Sequence, residues 1–93
     1  MHVYAAIFEL RLPSRSLKAK RGIVKSILAR SRHQFNLASA EVGLADNPET
    51  ALLGFSTVSG TRRLARQQLE QLEEWIYGEH PDVEIVAAEI EER

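Results

Sequence analysis

Along residues 3–12, VYAAIFELRL, the side chains alternate. Tyr4, Ala6, Phe8, Leu10 and Leu12 fall on one side, all apolar. The other side begins with Val3, Ala5 and Ile7, then turns polar at Glu9 and Arg11. A period of two predicts a strand whose first set faces the core. Pro13 ends it, because it has no N–H to give a ladder. From Leu17 the period changes. Leu17, Val24, Leu28, Ser31 and Phe35 line up at 100° per residue with Ile27 beside them, which predicts a helix over about 17–34 with that stripe on the sheet. Ser14 or Ser16 caps it. Gly22 in its interior costs up to about 1 kcal/mol relative to Ala.

Residues 36–44, NLASAEVGL, read as a second strand with Ala38, Ala40 and Val42 on one side. The turn formers of 45–49, ADNPE, lead through a short hairpin loop to a third strand at 51–58. Ser59-Gly60-Thr61 supplies a turn and a cap. A second helix follows over about 62–77, with Leu64, Ala65, Gln68, Leu69, Leu72, Trp75 and Ile76 inward and Glu70, Glu73 and Glu74 outward. Residues 78–82 break it. Val83 to Ile90 is the last strand, and 91–93 is expected to fray. The order βαββαβ predicts an α+β, ferredoxin-like domain: a four-stranded antiparallel sheet with two helices on one face. Right-handed crossovers put the first and third strands side by side at the centre. These two are expected to run the same way, each feeding a helix, so that both helix N-termini share one edge.

Composition narrows the class. The 93 residues suit one domain spanning 1–93, and an apolar share of 44% with 27% charged residues is that of a globular chain. Without cysteine, disulfides, thiolate metal sites and cysteine nucleophiles are excluded. No apolar run approaches a bilayer span, and Met1-His2-Val3-Tyr4 lacks the basic start of a secretory signal. The expected location is the cytoplasm, with no membrane partner. The net charge of −1 hides a strong asymmetry: residues 1–40 sum to +7 and residues 41–93 to −8. Such a dipolar chain either presents a basic surface to a polyanion or pairs its own halves, within a molecule or between copies.

Candidate catalytic chemistry is thin. His2, His33 and His80 are too scattered for a metal site and are expected to be solvated or hydrogen-bonded. Ser56 follows Gly54 at elbow spacing but lacks the second glycine of a nucleophile elbow, and there is no phosphate-binding glycine loop. Nor does the chain carry the acylphosphatase-like loop of some ferredoxin-like enzymes. The acids of 70–92 have the spacing of solvated faces. A non-catalytic role without metal or cofactor is therefore expected. Base stacking on the sheet, the habit of single-strand RNA readers of similar topology, is poorly served, because Tyr4 and Phe8 point to the core. The aliphatic open face of Val3, Ala5 and Ile7 is expected to be covered by a second copy, giving a homodimer.

Cations supply the positive signal. Lys18, Arg21, Lys25 and Arg32 form a stripe beside the apolar stripe of the first helix. That helix opens with Arg15, Lys18 and Arg21, and the second opens with Arg62, Arg63 and Arg66. Cations at a helix N-terminus oppose its dipole by some tenths of a kcal/mol each, so a bound anion is the economical reason for them.

The same residues carry a resemblance. Phe8-Glu9-Leu10-Arg11-Leu12-Pro13, then Ser16-Leu17-Lys18-Ala19-Lys20-Arg21 and Val24-Lys25-Ser26, closely resemble the YlxP-like family of small bacterial proteins. So do Arg32 with the stretch 35–42, FNLASAEV, and 58–63, VSGTRR. The likeness covers nearly the whole chain, and Ser-Leu-Lys-x-Lys-Arg is fairly specific. It implies a ferredoxin-like domain of unassigned function. Genes of the family often lie beside those for translation-initiation and ribosome-maturation factors, which implies an RNA- or ribosome-linked role. The chain departs from the family at Gly60-Thr61, where Asn-Asp or similar often stands. No catalytic residues come with the resemblance.

The combined expectation is a binding protein for RNA or a ribosomal particle. Lys18, Lys20, Arg21, Lys25 and Arg32 would contact phosphates, with Arg15, Arg62 and Arg63 at the helix-terminal edge. The competing readings are a dimeric small-molecule-binding regulatory module and an adaptor that meets an acidic protein partner.

Overall fold

Strand formation begins where the side chains alternate. The computed structural model describes residues 1–93 and contains β1 (His2–Arg11), α1 (Leu17–Gln34), β2 (Ala38–Gly43), β3 (Thr50–Ser59), α2 (Arg62–Glu79) and β4 (Glu84–Glu92). The expected elements are all present, most bounds shifting by one or two residues. The inward row of β1 is buried throughout, and it meets Ala51, Leu53 and Phe55 of β3 in one continuous core with Ala65, Leu69, Leu72 and Ile76 of α2. The Phe8 and Phe55 rings meet at a tilt, their centres 5.3 Å apart. All the sheet's phenylalanines thus lie beneath the helices and none on the open face.

The sheet order is β2-β3-β1-β4, with every neighbouring pair antiparallel. With both helices on the core face, this is the ferredoxin-like arrangement. α2 covers β1, β3 and β4, and α1 lies over β2.

One expectation about direction is overturned. β1 and β3 run antiparallel, with His2 opposite Ser59 and Arg11 opposite Thr50. Connectivity requires it. A helical crossover makes β1 and β2 parallel with a slot between them, and the β2–β3 hairpin then reverses the chain into that slot. The start of α1 follows Arg11, while the start of α2 follows Ser59, which sits beside His2. Nine strand steps of ~3.3 Å separate the two, so the helix N-termini lie about 30 Å apart at opposite ends of the sheet.

Two smaller differences have local causes. Residues 91–93 do not fray: Glu91 and Glu92 continue β4, and the Arg93 N–H donates to Val3 O at 2.7 Å. Leu64 is not inward but 49% exposed, since α2 buries the row Ala65, Leu69, Leu72, Ile76 and leaves its neighbour outside.

Candidate polyanion-binding site

Ser16 starts α1, its Oγ accepting the Ala19 N–H at 3.1 Å. Ser14 is buried instead and donates to Pro48 O at 2.6 Å. From that cap, helical geometry sorts the side chains. Lys20, Val24, Ile27 and Ser31 form the buried row. Lys18, Arg21 and Lys25 stand exposed, one turn apart along the outer face, and Arg15 is exposed just before the cap. α1 holds no Asp or Glu anywhere. Nothing on the helix itself offsets these cations, and those of the first turn oppose the dipole.

Of the eight cations expected at the site, Lys20 does not belong there. Its side chain is 1% exposed and points into the β2–β3 connection, where Nζ donates to the carbonyls of Leu44 and Ala45. Glu41 Oε2 lies 3.2 Å from Nζ, near enough for charge pairing although off the line of an N–H hydrogen bond. Lys20 therefore ties α1 to the hairpin loop, where Leu44 takes a left-handed backbone with φ 58°. A phosphate cannot reach it. The sequence carried the signal, because 20, 24, 27 and 31 make one helical row.

Arg32 is exposed but bent back onto β2, donating to Ser39 Oγ at 2.9 Å and Ser39 O at 3.3 Å. Arg62 and Arg63 lie at the far end of the molecule, separated from Arg15 and Lys18 by the antiparallel sheet. Arg62 Nε donates to the Glu92 carboxylate at 3.1 and 3.2 Å. Arg63 is exposed and forms no ion pair. Arg66, also at that end, lies over the Tyr4 ring at 5.7 Å. The structure thus gathers Arg15, Lys18, Arg21 and Lys25 and detaches the α2 cations from them.

The charge asymmetry can now be weighed. Of the eight Lys and Arg in residues 1–40, Arg11, Lys20 and Arg30 pair with Glu84, Glu41 and Glu79. The other five, Arg15, Lys18, Arg21, Lys25 and Arg32, pair with no acid. Internal pairing accounts for three of the eight.

Elsewhere, His2 Nδ1 and Arg62 both bond Glu92, and these two bonds hold its carboxyl below the usual glutamate range. His33 is exposed. His80 differs from expectation: its ring packs edge-on against Trp75 at 6.4 Å, and its buried Nε2 has no hydrogen-bond partner. Trp75 also meets Phe35 edge-on at 5.8 Å, with the Arg30 guanidinium 5.9 Å from its ring centre. Beyond α1, a polar cleft lined in part by Asn36, Gln67 and Gln71 carries no mark in the sequence. Amides on a helix face are too common to signal a site, and Asn36 is distant along the chain.

The model of the family described as "Protein of unknown function (DUF503)" matches residues 3–90. The chain belongs to this family. The chain is also similar to the uncharacterized protein YlxP of Bacillus subtilis (strain 168), at 33% identity over 57 residues. That stretch is 61% of this chain and 62% of YlxP, so the chain spans less than two thirds of this relative. The resemblance carried by the signature around Ser16–Arg21 is thereby established at the level of the family.

Proposed function

We propose that this DUF503 protein is a non-catalytic binding protein for RNA, free or within a ribosomal particle, and that the outer face of α1 meets the phosphates. The observation that carries the reading is the set of five cations in the basic half without an acidic partner, four of them at the start of an acid-free helix. From Lys18 to Arg32 the stripe runs about 21 Å at 1.5 Å per residue, enough to follow several phosphates. Contacts of this kind position a nucleic acid and carry little sequence information. In a fluorescence titration against a structured RNA, the variant K18A/R21A/K25A is expected to bind at least tenfold more weakly at low salt, with its melting temperature preserved. Undiminished affinity in that folded variant would overturn the assignment.

A second copy on the open sheet face is the companion reading. Val3, Ala5, Ile7, Ala38, Ala40, Val42 and Val58 form this face, and Glu89 and Glu91 of β4 line its rim. The acids disfavour RNA there. Four strands at ~4.8 Å and up to ten residues at ~3.3 Å give a face of about 600 Å², close to the ~800 Å² per partner of a standard protein interface. A small molecule would cover only part of it. Sedimentation equilibrium is expected to find a dimer, and Ile7→Glu a folded monomer. A monomeric parent would remove the dimer and leave the α1 reading intact.

A further inference from the structure

Beyond the start of β2, a cleft opens. β2 begins at Ala38 opposite Ser56, so Thr57, Val58 and Ser59 have no strand beside them on that side. The space between this stretch and α2 is a cleft of about 320 Å³. Its walls include Asn36, Gln67, Gln68 and Gln71, together with Val58 and Leu64. These two aliphatic side chains are 45% and 49% exposed, among the most exposed large apolar residues of the molecule.

The amides differ in their state. Gln68 Oε1 accepts the Asn36 N–H at 2.9 Å, and Thr57 Oγ1 donates to Asn36 O, so the backbone at this corner is fixed. The side-chain amides of Asn36, Gln67 and Gln71 bond to nothing within the chain. Each offers a donor and an acceptor side by side. On α2, Arg63, Gln67 and Gln71 are four residues apart and share a face, so the unpaired Arg63 lies one turn before Gln67, outside the lining of the cleft. The outer cations of α1 end at Arg32, four residues before Asn36, so the basic stripe leads into the same corner.

We infer that this cleft seats one unpaired nucleobase of the RNA whose phosphates lie on α1. The chemistry matches in three respects. The exposed Leu64 side chain accepts the flat face of a base. Free amides read its donor–acceptor edge, as Asn and Gln side chains do for adenine. The exposed Arg63, one turn from Gln67, is available to an adjoining phosphate. Single-stranded RNA offers such an edge because its bases are unstacked. This inference rests on the RNA reading above and adds a recognition element to a surface that otherwise reads charge alone.

The test uses the full-length protein and a hairpin RNA with a single-stranded tail, compared with the same RNA carrying abasic sites throughout the tail. The parent protein is expected to bind the base-bearing tail about tenfold more tightly, the scale of one base-edge contact. The variant Q67A/Q71A alters two exposed positions and leaves Gln68 in place. It is expected to keep its fold and the affinity for the abasic RNA, and to lose the preference. Equal binding of the two RNAs by the parent, or a preference surviving in Q67A/Q71A, would overturn the cleft assignment and leave the α1 reading standing. No binding of either RNA at low salt would overturn both.

Discussion

Lys20 shows how one residue can belong to a basic segment and not to its basic surface. The chain places it on the inward row of α1 and closes it under the β2–β3 connection, with two carbonyls and Glu41 around the ammonium. Removing the charge while keeping the stem leaves those acceptors without their donor. Lys20→Met is therefore expected to destabilise the fold by about 2 kcal/mol in urea unfolding, with RNA affinity of the folded protein unchanged. A fall in affinity without loss of stability would return Lys20 to the phosphate-contacting set. Glu92 makes the opposite kind of statement, from the surface. His2 and Arg62 stabilise its ionised form, so its folded pKa lies below its unfolded one. The stability it adds is present above the unfolded pKa and is lost as pH falls through the folded pKa. A carboxyl titration followed by NMR should give a Glu92 midpoint below the ordinary glutamate value, rising in R62A. A midpoint at the ordinary value would contradict the bonding seen here.

At the scale of the element, α1 is in conflict with itself. Its cap is sound, yet the first turn holds Lys18 and no acid, against the helix dipole. A segment selected for stability alone would favour Asp or Glu there. Lys18→Glu is thus expected to raise stability by roughly 0.5 kcal/mol and to weaken RNA binding, a trade readable by thermal melting beside titration. Improved stability with unchanged binding would mean that the cation has another purpose. The stripes of both helices and the alternation in β1 were legible because burial imposes a period on the sequence. The amides of the corner cleft were not, since Gln67 and Gln71 look like any solvated helix face until Asn36 is brought beside them.

For the whole molecule, what the sequence pattern did not yield was direction. Alternation shows that β1 is a strand with one buried side, but it fits either orientation relative to β3. Only the chain of one crossover and one hairpin makes them antiparallel, and that separates Arg15 and Lys18 from Arg62 and Arg63 by the length of the sheet. The expected single anion edge thereby gives way to the proposed track along α1, with the polar corner at its far end. Such a track has a thermodynamic signature, because phosphates neutralised by cations release counterions. The decisive measurement is the dependence of log affinity on log salt for a structured RNA, made on the parent and on K18A/R21A/K25A. The expected result is a negative slope that becomes shallower by about 2 to 3 in the variant, roughly 0.7–0.9 for each phosphate no longer neutralised. Equal slopes for the two proteins would contradict an RNA-binding surface on α1.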